Sequence, residues 1–439
     1  MLRVAYGRDA RGLRLNNVRA HCSERRSIVT AKMRARGIIG ALGGRVFARA
    51  VGAALQAITL VVLARILSPS EFAPFALIPT VGAACACLLG GGLGTLALRV
   101  GGEQGWGVQL LRLAVVVSVQ IGLVAAAVGV CLSSAGWLLV AAPSVMVAVD
   151  QLVGVAQGVL AGQTRHRDAA RLLIAQRALP LCGLLFGGFI GGHQIAGYGL
   201  GGLILFIVVA APIYRNVGAL PTIRAVLSRA KGFWGVSAVS TLAYLDVLIV
   251  GLFLGEYAAG IYGATVRLVA PLSILTSSII YIIVPEASRH YQGERARIFS
   301  EWRRYGRWTA FSLALLAPLM CWLGLLALGQ DYAPGRWILL ALMLGSALSL
   351  LSQITLAELF SMNREGVAAT ALGCAYMVGT STLILIGATG SLGWLWVYPL
   401  VLQGLTWVML GLQRNRNARS PATRADFDES RDGRDDSSV

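Results

Sequence analysis

Long apolar runs alternate with short polar connections along most of this chain. They fall near 38–63, 72–98, 108–131, 137–161, 172–190 and 195–214, and again near 233–254, 262–285, 306–328, 335–360, 366–388 and 391–412. Each matches the roughly 20 mostly apolar residues that a helix needs to cross a bilayer. The pattern predicts an all-α polytopic membrane protein of about twelve transmembrane helices. Polar positions inside the runs are few. The first run carries Arg45 and Arg49, which lie four residues apart and share one helical face, and Gly52, Gln56 and Thr59 continue that face. A charge at membrane depth costs at least a few kcal/mol, so a face of this kind is expected to line a cavity or meet a partner.

The connections differ in charge. One alternate set holds Arg99 and Arg112, then Arg165, Arg167, Arg171 and Arg177, then Arg215, Arg224, Arg229 and Lys231. The same set continues with Arg289, Arg295, Arg297, Arg303, Arg304 and Arg307, then Arg364, Arg414 and Arg416. The other set holds Arg65 and Arg336. By the positive-inside rule the first set faces the cytoplasm, and both termini lie there. The expected organisation is a basic tail over 1–37, six helices over 38–214 and a basic linker over 215–232. Six further helices over 233–412 and a polar tail over 413–439 complete it. Both tails read as disordered by composition. The first 36 residues lack the apolar core of a signal peptide. They are either a natural tail that attracts anionic lipid or an extension ahead of a start at Met33.

Composition removes several classes of function. With 56% hydrophobic and 13% charged residues, the 439-residue chain lies far from soluble domains, which carry about 25% charged residues. The net charge of +18 sits in tails and alternate connections, a distribution that orients membrane helices and gives no reason to expect nucleic acid. His21, His166, His193 and His290 are scattered, and the cysteines of the apolar runs show no metal-ligand spacing. No nucleophile constellation and no phosphate loop is present, and the outer connections are short. No enzyme activity, cofactor or metal is expected. The basic stretch Arg289–Arg307, interleaved with Tyr291, Trp302, Tyr305 and Trp308, reads as an interfacial amphipathic segment against anionic lipid.

A weak internal repeat links the two sets of helices. Ile66-Leu67, a short polar turn and Phe75-Ala76 follow the first helix; Phe253-Leu254, a short turn and Tyr262-Gly263 follow the seventh. Two halves in parallel orientation place a substrate site in the cleft between them, where rocking gives alternating access. The phrase Ala64-Arg65-Ile66-Leu67-Ser68-Pro69-Ser70-Glu71-Phe72-Ala73-Pro74-Phe75-Ala76-Leu77 resembles one common in polysaccharide-transport (O-antigen flippase) proteins. These form a branch of the multidrug/oligosaccharidyl-lipid/polysaccharide exporter superfamily. Leu245-Asp246-Val247-Leu248-Ile249-Val250-Gly251, Gly260-Ile261-Tyr262-Gly263-Ala264 and Arg267-Leu268 resemble a second phrase of that family. Ala73-Pro74 stands where Gly-Leu is usual, and Val247 where a basic residue is common.

The resemblance implies a two-bundle fold in the bacterial cytoplasmic membrane. It also implies export of an undecaprenyl-pyrophosphate-linked oligosaccharide, driven by ion or proton antiport, alongside polysaccharide polymerase and other assembly proteins. Three rivals remain open: a cation-coupled multidrug exporter of the same superfamily, a peptidoglycan-precursor flippase, and a membrane partner of assembly enzymes that transports nothing.

Within this frame Arg45 and Arg49 are candidates for a pyrophosphate or acidic sugar, because the guanidinium fork suits both. Snorkelling to the surface is the plain alternative, easier for Arg45. Gln56, Tyr244 and Arg267 are further substrate-binding candidates, and Arg267 is also a possible partner for Asp246. Asp246, Asp150 and Glu358 are candidates for ion coupling or intramembrane pairing. For Asp150, with Gln157 nearby, a polar contact between helices is the plainer reading; for Glu358 it is a solvated helix end. The run Gly90-Gly91-Gly92-Leu93-Gly94 is expected to permit bending or close packing in the second helix.

Overall fold

The computed structural model describes residues 47–418, apart from 91, 102, 104, 216–224, 227, 230–233, 235–236, 240, 288–291 and 363. Arg45 and both predicted tails up to 37 and beyond 418 lie outside the described residues. The helices of the first half are α1 (Phe47–Ile66), α2 (Pro69–Leu89), α3 (Leu93–Val100), α4 (Trp106–Leu132), α5 (Trp137–Gly162), α6 (His166–Phe189) and α7 (Gln194–Arg215). Those of the second are α8 (Asp246–Ala287), α9 (Gln292–Leu328), α10 (Arg336–Ser361), α11 (Glu365–Ala388) and α12 (Val397–Ala418).

Local chemistry explains several boundaries. α2 begins where Ser68 accepts a hydrogen bond from the Glu71 amide and the Glu71 carboxylate accepts from the Ser68 amide at 2.9 Å, with Pro69 in the first turn. The Ser-Pro-Ser-Glu phrase after the first helix is therefore a capping box. α2 stops at Leu89 and α3 restarts at Leu93 after Gly92, whose φ is +74°. The glycine run thus divides the expected 72–98 span. α9 is continuous from Gln292, so the basic stretch from there to Arg307 forms its first four turns. α12 also runs six residues past the expected boundary at 412.

Eleven stretches among the described residues are long and apolar enough to cross a membrane, and one of them is Ser237–Leu272. That stretch is a hairpin. Gly255 adopts φ 83° and ψ 177°, and the Tyr262 hydroxyl donates to the Asp246 carboxylate at 2.9 Å. In a straight helix residues sixteen apart would be separated by roughly 24 Å. The chain therefore reverses at Gly255 and makes two passes there, which brings the crossings to the expected twelve. A one-turn 3-10 segment, Thr241–Tyr244, precedes Asp246, so the seventh crossing is itself interrupted.

Helices α2 to α7 pack among themselves and α8 to α12 likewise, and α2 against α8 is the main contact between the halves among the described elements. The closest approach is at Gly260, where a Cβ would overlap the Pro69 carbonyl oxygen; one on Gly263 would overlap the Ala76 side chain. Further bonds join the halves at the Gly255 end. Arg65 donates to the carbonyls of Ala327, at 2.7 Å, and Leu326. The Tyr332 hydroxyl reaches the Leu67 carbonyl while its ring packs edge-on against Phe72 at 6.2 Å, and Ser134 donates through its amide and hydroxyl to Glu256 at 2.7 and 3.1 Å. Exposed Trp137, Trp337 and Trp394 ring this end, and Phe47, Tyr305 and Trp308 the opposite, Arg165 end, as in an aromatic belt.

Two substitutions test this geometry. Gly255→Ala should destabilise the purified protein by about 1–3 kcal/mol, since that backbone region is nearly glycine-only; an unchanged melting temperature would contradict the reversal. Gly260→Val should cost a similar ~1–3 kcal/mol or more by overpacking. Gly366→Val, where a Cβ meets nothing within 4 Å, serves as the control in the same thermal measurement.

Candidate functional site

The polar face of α1 turns toward α6. Gly52 lies against the stem of Arg177, whose Cγ would be 3.8 Å from a Cβ there, and one turn further on Gln56 and Thr59 enter a chamber. This chamber lies inside the first half, between α1, α2, α5, α6 and α7, and Arg267 of α8 reaches into it from the second half. The chamber is thus lined mostly by the first half, with Arg267 the contribution of the second. Pro79, Pro143 and Pro180 line it, each from within a helix. A helical proline leaves a carbonyl without its usual donor. Pro79 does this to the Phe75 carbonyl, and the next one along, that of Ala76, accepts from the Thr80 hydroxyl at 2.8 Å and from Arg267 Nη2 at 3.1 Å.

A chain of polar groups crosses from α5 to α6. Gln157 Nε2 donates to Gln176 Oε1 at 3.2 Å, and Gln176 Nε2 donates to Asp150 Oδ1 at 2.6 Å. Arg177 Nη1 lies 3.2 and 3.4 Å from the two Asp150 oxygens. Tyr198 and Phe75, whose rings lie 5.8 Å apart, form an aromatic wall. Arg267 Nε is buried with no hydrogen-bond partner. The charged lining is two arginines against one carboxylate.

A second cleft, toward the Arg165 end, is lined by Cys87, Gln151, Ser237 and Tyr244. It shares Pro79, Val147 and Asp150 with the chamber, so Asp150 stands at their junction.

The structure distributes the sequence candidates unevenly. Gln56, Asp150 and Arg267 line the chamber, while Tyr244 lines the neighbouring cleft. Arg49 is half-buried on α1 seven residues before Gln56, roughly 10 Å along the axis. Arg45 lies outside the described residues. Among the described residues no arginine pairs with Asp246, whose carboxylate accepts from Tyr262 at 2.9 Å and from the Val247 amide at 2.7 Å. Glu358 is not a solvated helix end. It is 7% exposed and pairs with Arg303 at 2.7 Å, which ties the first turns of α9 to α10.

Arg177 is the residue sequence reasoning misplaced, by grouping it with the arginines of a connection. α6 begins at His166, so Arg177 lies eleven residues in, roughly 16 Å along the helix. The readable signal was Gln176 beside it and Pro180 one turn on, which extend a polar and kinked face into the run. Among the described residues no three histidine, cysteine or acidic side chains gather as a metal site would require.

No protein-family model matches the chain, and no curated protein does. Solved structures do. The chain is similar to the MATE multidrug transporter DinF-BH, solved as a complex, at 14% identity and a TM-score of 0.60, over 86% of this chain and 95% of that one. A multidrug-resistance MATE transporter of the MOP superfamily in an outward-facing conformation matches at 14% identity and TM-score 0.54, over the same shares. So does a MOP transporter from Pyrococcus furiosus described as having a binding pocket of reverse polarity, again at 14% and 0.54 over the same shares. The overlap with these neighbours over 86% of the chain shows the fold: it is that of the MATE transporters of the MOP superfamily.

Proposed function

We propose that the protein is an alternating-access exporter whose substrate carries an anionic headgroup, namely the polyprenyl-pyrophosphate-linked oligosaccharide that the sequence resemblance implies. The observation that supports this reading best is the charge of the chamber: Arg177 and Arg267 against Asp150, with Gln56 and Thr59 adding neutral hydrogen-bonding groups. Guanidinium groups on opposite sides of a cavity suit a ligand with many acceptor oxygens. The halves hold together at the Gly255 end, while the cleft beside the chamber lies toward the Arg165 end. Loading would then occur from the Arg165 end, which the positive-inside rule assigns to the cytoplasm. Asp246, held by Tyr262 at the break in the seventh crossing, is the candidate for the coupling ion, because interrupted membrane helices commonly carry such sites. Exposed Arg304, Arg307 and Trp308 at the base of α9 suit an anionic lipid surface.

A second reading has equal support from the fold. The structural neighbours are named as multidrug transporters, and a cation-coupled multidrug exporter would share every feature of the architecture. The cationic chamber separates the two, since an organic cation is repelled by it.

Deletion of the gene should cause a lipid-linked oligosaccharide to accumulate on the cytoplasmic face, and Arg177→Gln should reproduce this at normal protein level. Unchanged surface glycans together with new sensitivity to cationic dyes would favour the multidrug reading instead. Orientation is checked in a cysteine-less background. Ala388→Cys should react with an impermeant maleimide in intact cells, and Arg171→Cys should react only after lysis.

A further inference from the structure

The bond between Asp150 and Arg177 differs in kind from the enclosed ion pair between Arg303 and Glu358. Arg303 and Glu358 meet at 2.7 Å, with the carboxylate side chain 10% exposed. Arg177 approaches Asp150 through a single nitrogen, at 3.2 and 3.4 Å, and the Asp150 side chain is 42% exposed. Strong guanidinium–carboxylate pairs use two nitrogens at roughly 2.7–2.9 Å, so this one is slack. Its carboxylate also stands where the chamber meets the open cleft, so water can solvate it once it is released. Gln176 grips Asp150 from the other side at 2.6 Å and is itself held by Gln157. Arg267 lines the same chamber, and among the described residues its buried Nε has no hydrogen-bond partner. The chamber therefore combines a weakly committed cation with an unmet donor.

We propose that Asp150 is the resting counter-ion of this chamber and the residue that sets its selectivity. A phosphate-bearing ligand takes the place of the Asp150 carboxylate at Arg177, with Arg267 as the second cation of the lining. Asp150 stays on Gln176, facing the cleft. The carboxylate thus neutralises Arg177 while the chamber is empty, and only a ligand that offers more acceptor oxygens than a carboxylate displaces it. This inference rests on the anionic-substrate reading and adds to it a competitor built into the chain. The shared ligand chemistry is a phosphate or pyrophosphate group, whether on a lipid or free.

The test is calorimetric binding of inorganic pyrophosphate to the purified full-length protein in detergent at fixed ionic strength. Removal of the competitor should tighten binding: Asp150→Asn should gain roughly two- to fivefold over the native chain, the equivalent of one exposed ion pair. Arg177→Gln should lose binding. Asp150→Ser provides a second route should the asparagine variant misfold, and Glu358→Gln, outside the chamber, should leave the affinity unchanged. Unchanged or weaker binding by the Asp150 variants, with native elution and melting, overturns the proposal. So does native affinity in Arg177→Gln. Farnesyl pyrophosphate in place of pyrophosphate distinguishes the sources: tighter binding assigns a lipid-borne group and equal binding a free one, with the ratio between Asp150→Asn and native chain deciding the counter-ion role in both. The gene-deletion experiment tests export separately, so a failure of either idea is told apart from a failure of the other.

Discussion

The two halves of this protein meet backbone to backbone. At Gly260 the absence of a side chain lets α8 lie directly on the start of α2, and Ala76 against Gly263 continues the contact. In a bilayer, lipid tails are as apolar as leucine side chains, so helices gain by fitting closely and by exchanging hydrogen bonds. Small residues supply the fit here. Arg65, Tyr332 and Glu256 supply the bonds, all at one end. The rest of the architecture follows from that asymmetry, because a pair of bundles clasped at one end leaves space toward the other.

The same economy governs the charges. Groups taken out of water need partners, and four charges within the helices find them: Asp150 with Arg177 and Gln176, Asp246 with Tyr262, Glu358 with Arg303, and Arg267 with the Ala76 carbonyl. What distinguishes them is how completely they are satisfied. Glu358 is enclosed and short-bonded, which marks a structural tie. Asp150 is half-open and long-bonded, and Arg267 keeps a buried donor unmet. Asp150 and Arg267 both line the chamber. Prolines 79, 143 and 180 contribute to the same place by interrupting three helices around it.

Much of the fold was readable along the chain. Twelve apolar runs corresponded to twelve passes, although the reversal at Gly255 merges two of them into one hydrophobic stretch. The stripe of Gly52, Gln56 and Thr59 pointed to a lined cavity, and Gln56 and Thr59 do line one. The site was less legible. Arg177 looked like one more arginine of a basic connection, because a helix start cannot be read to within a few residues when His166, Arg167 and Asp168 already open the helix. Glu358 looked solvated because its neighbours in sequence are polar, whereas its partner Arg303 comes from another helix.

The sequence by itself determined how many times the chain crosses and where most helices start and stop. Those properties rest on local physics: each run must bury its own backbone in hydrocarbon, and Ser68, Pro69 and the glycines act on their immediate neighbours. Only the tertiary structure decided which charges meet and in which half the chamber lies. Asp150 and Arg177 are 27 residues apart, and Arg267 and Ala76 are 191 apart. Such pairings depend on how helices pack and rotate against one another, which the hydropathy of any single run does not encode.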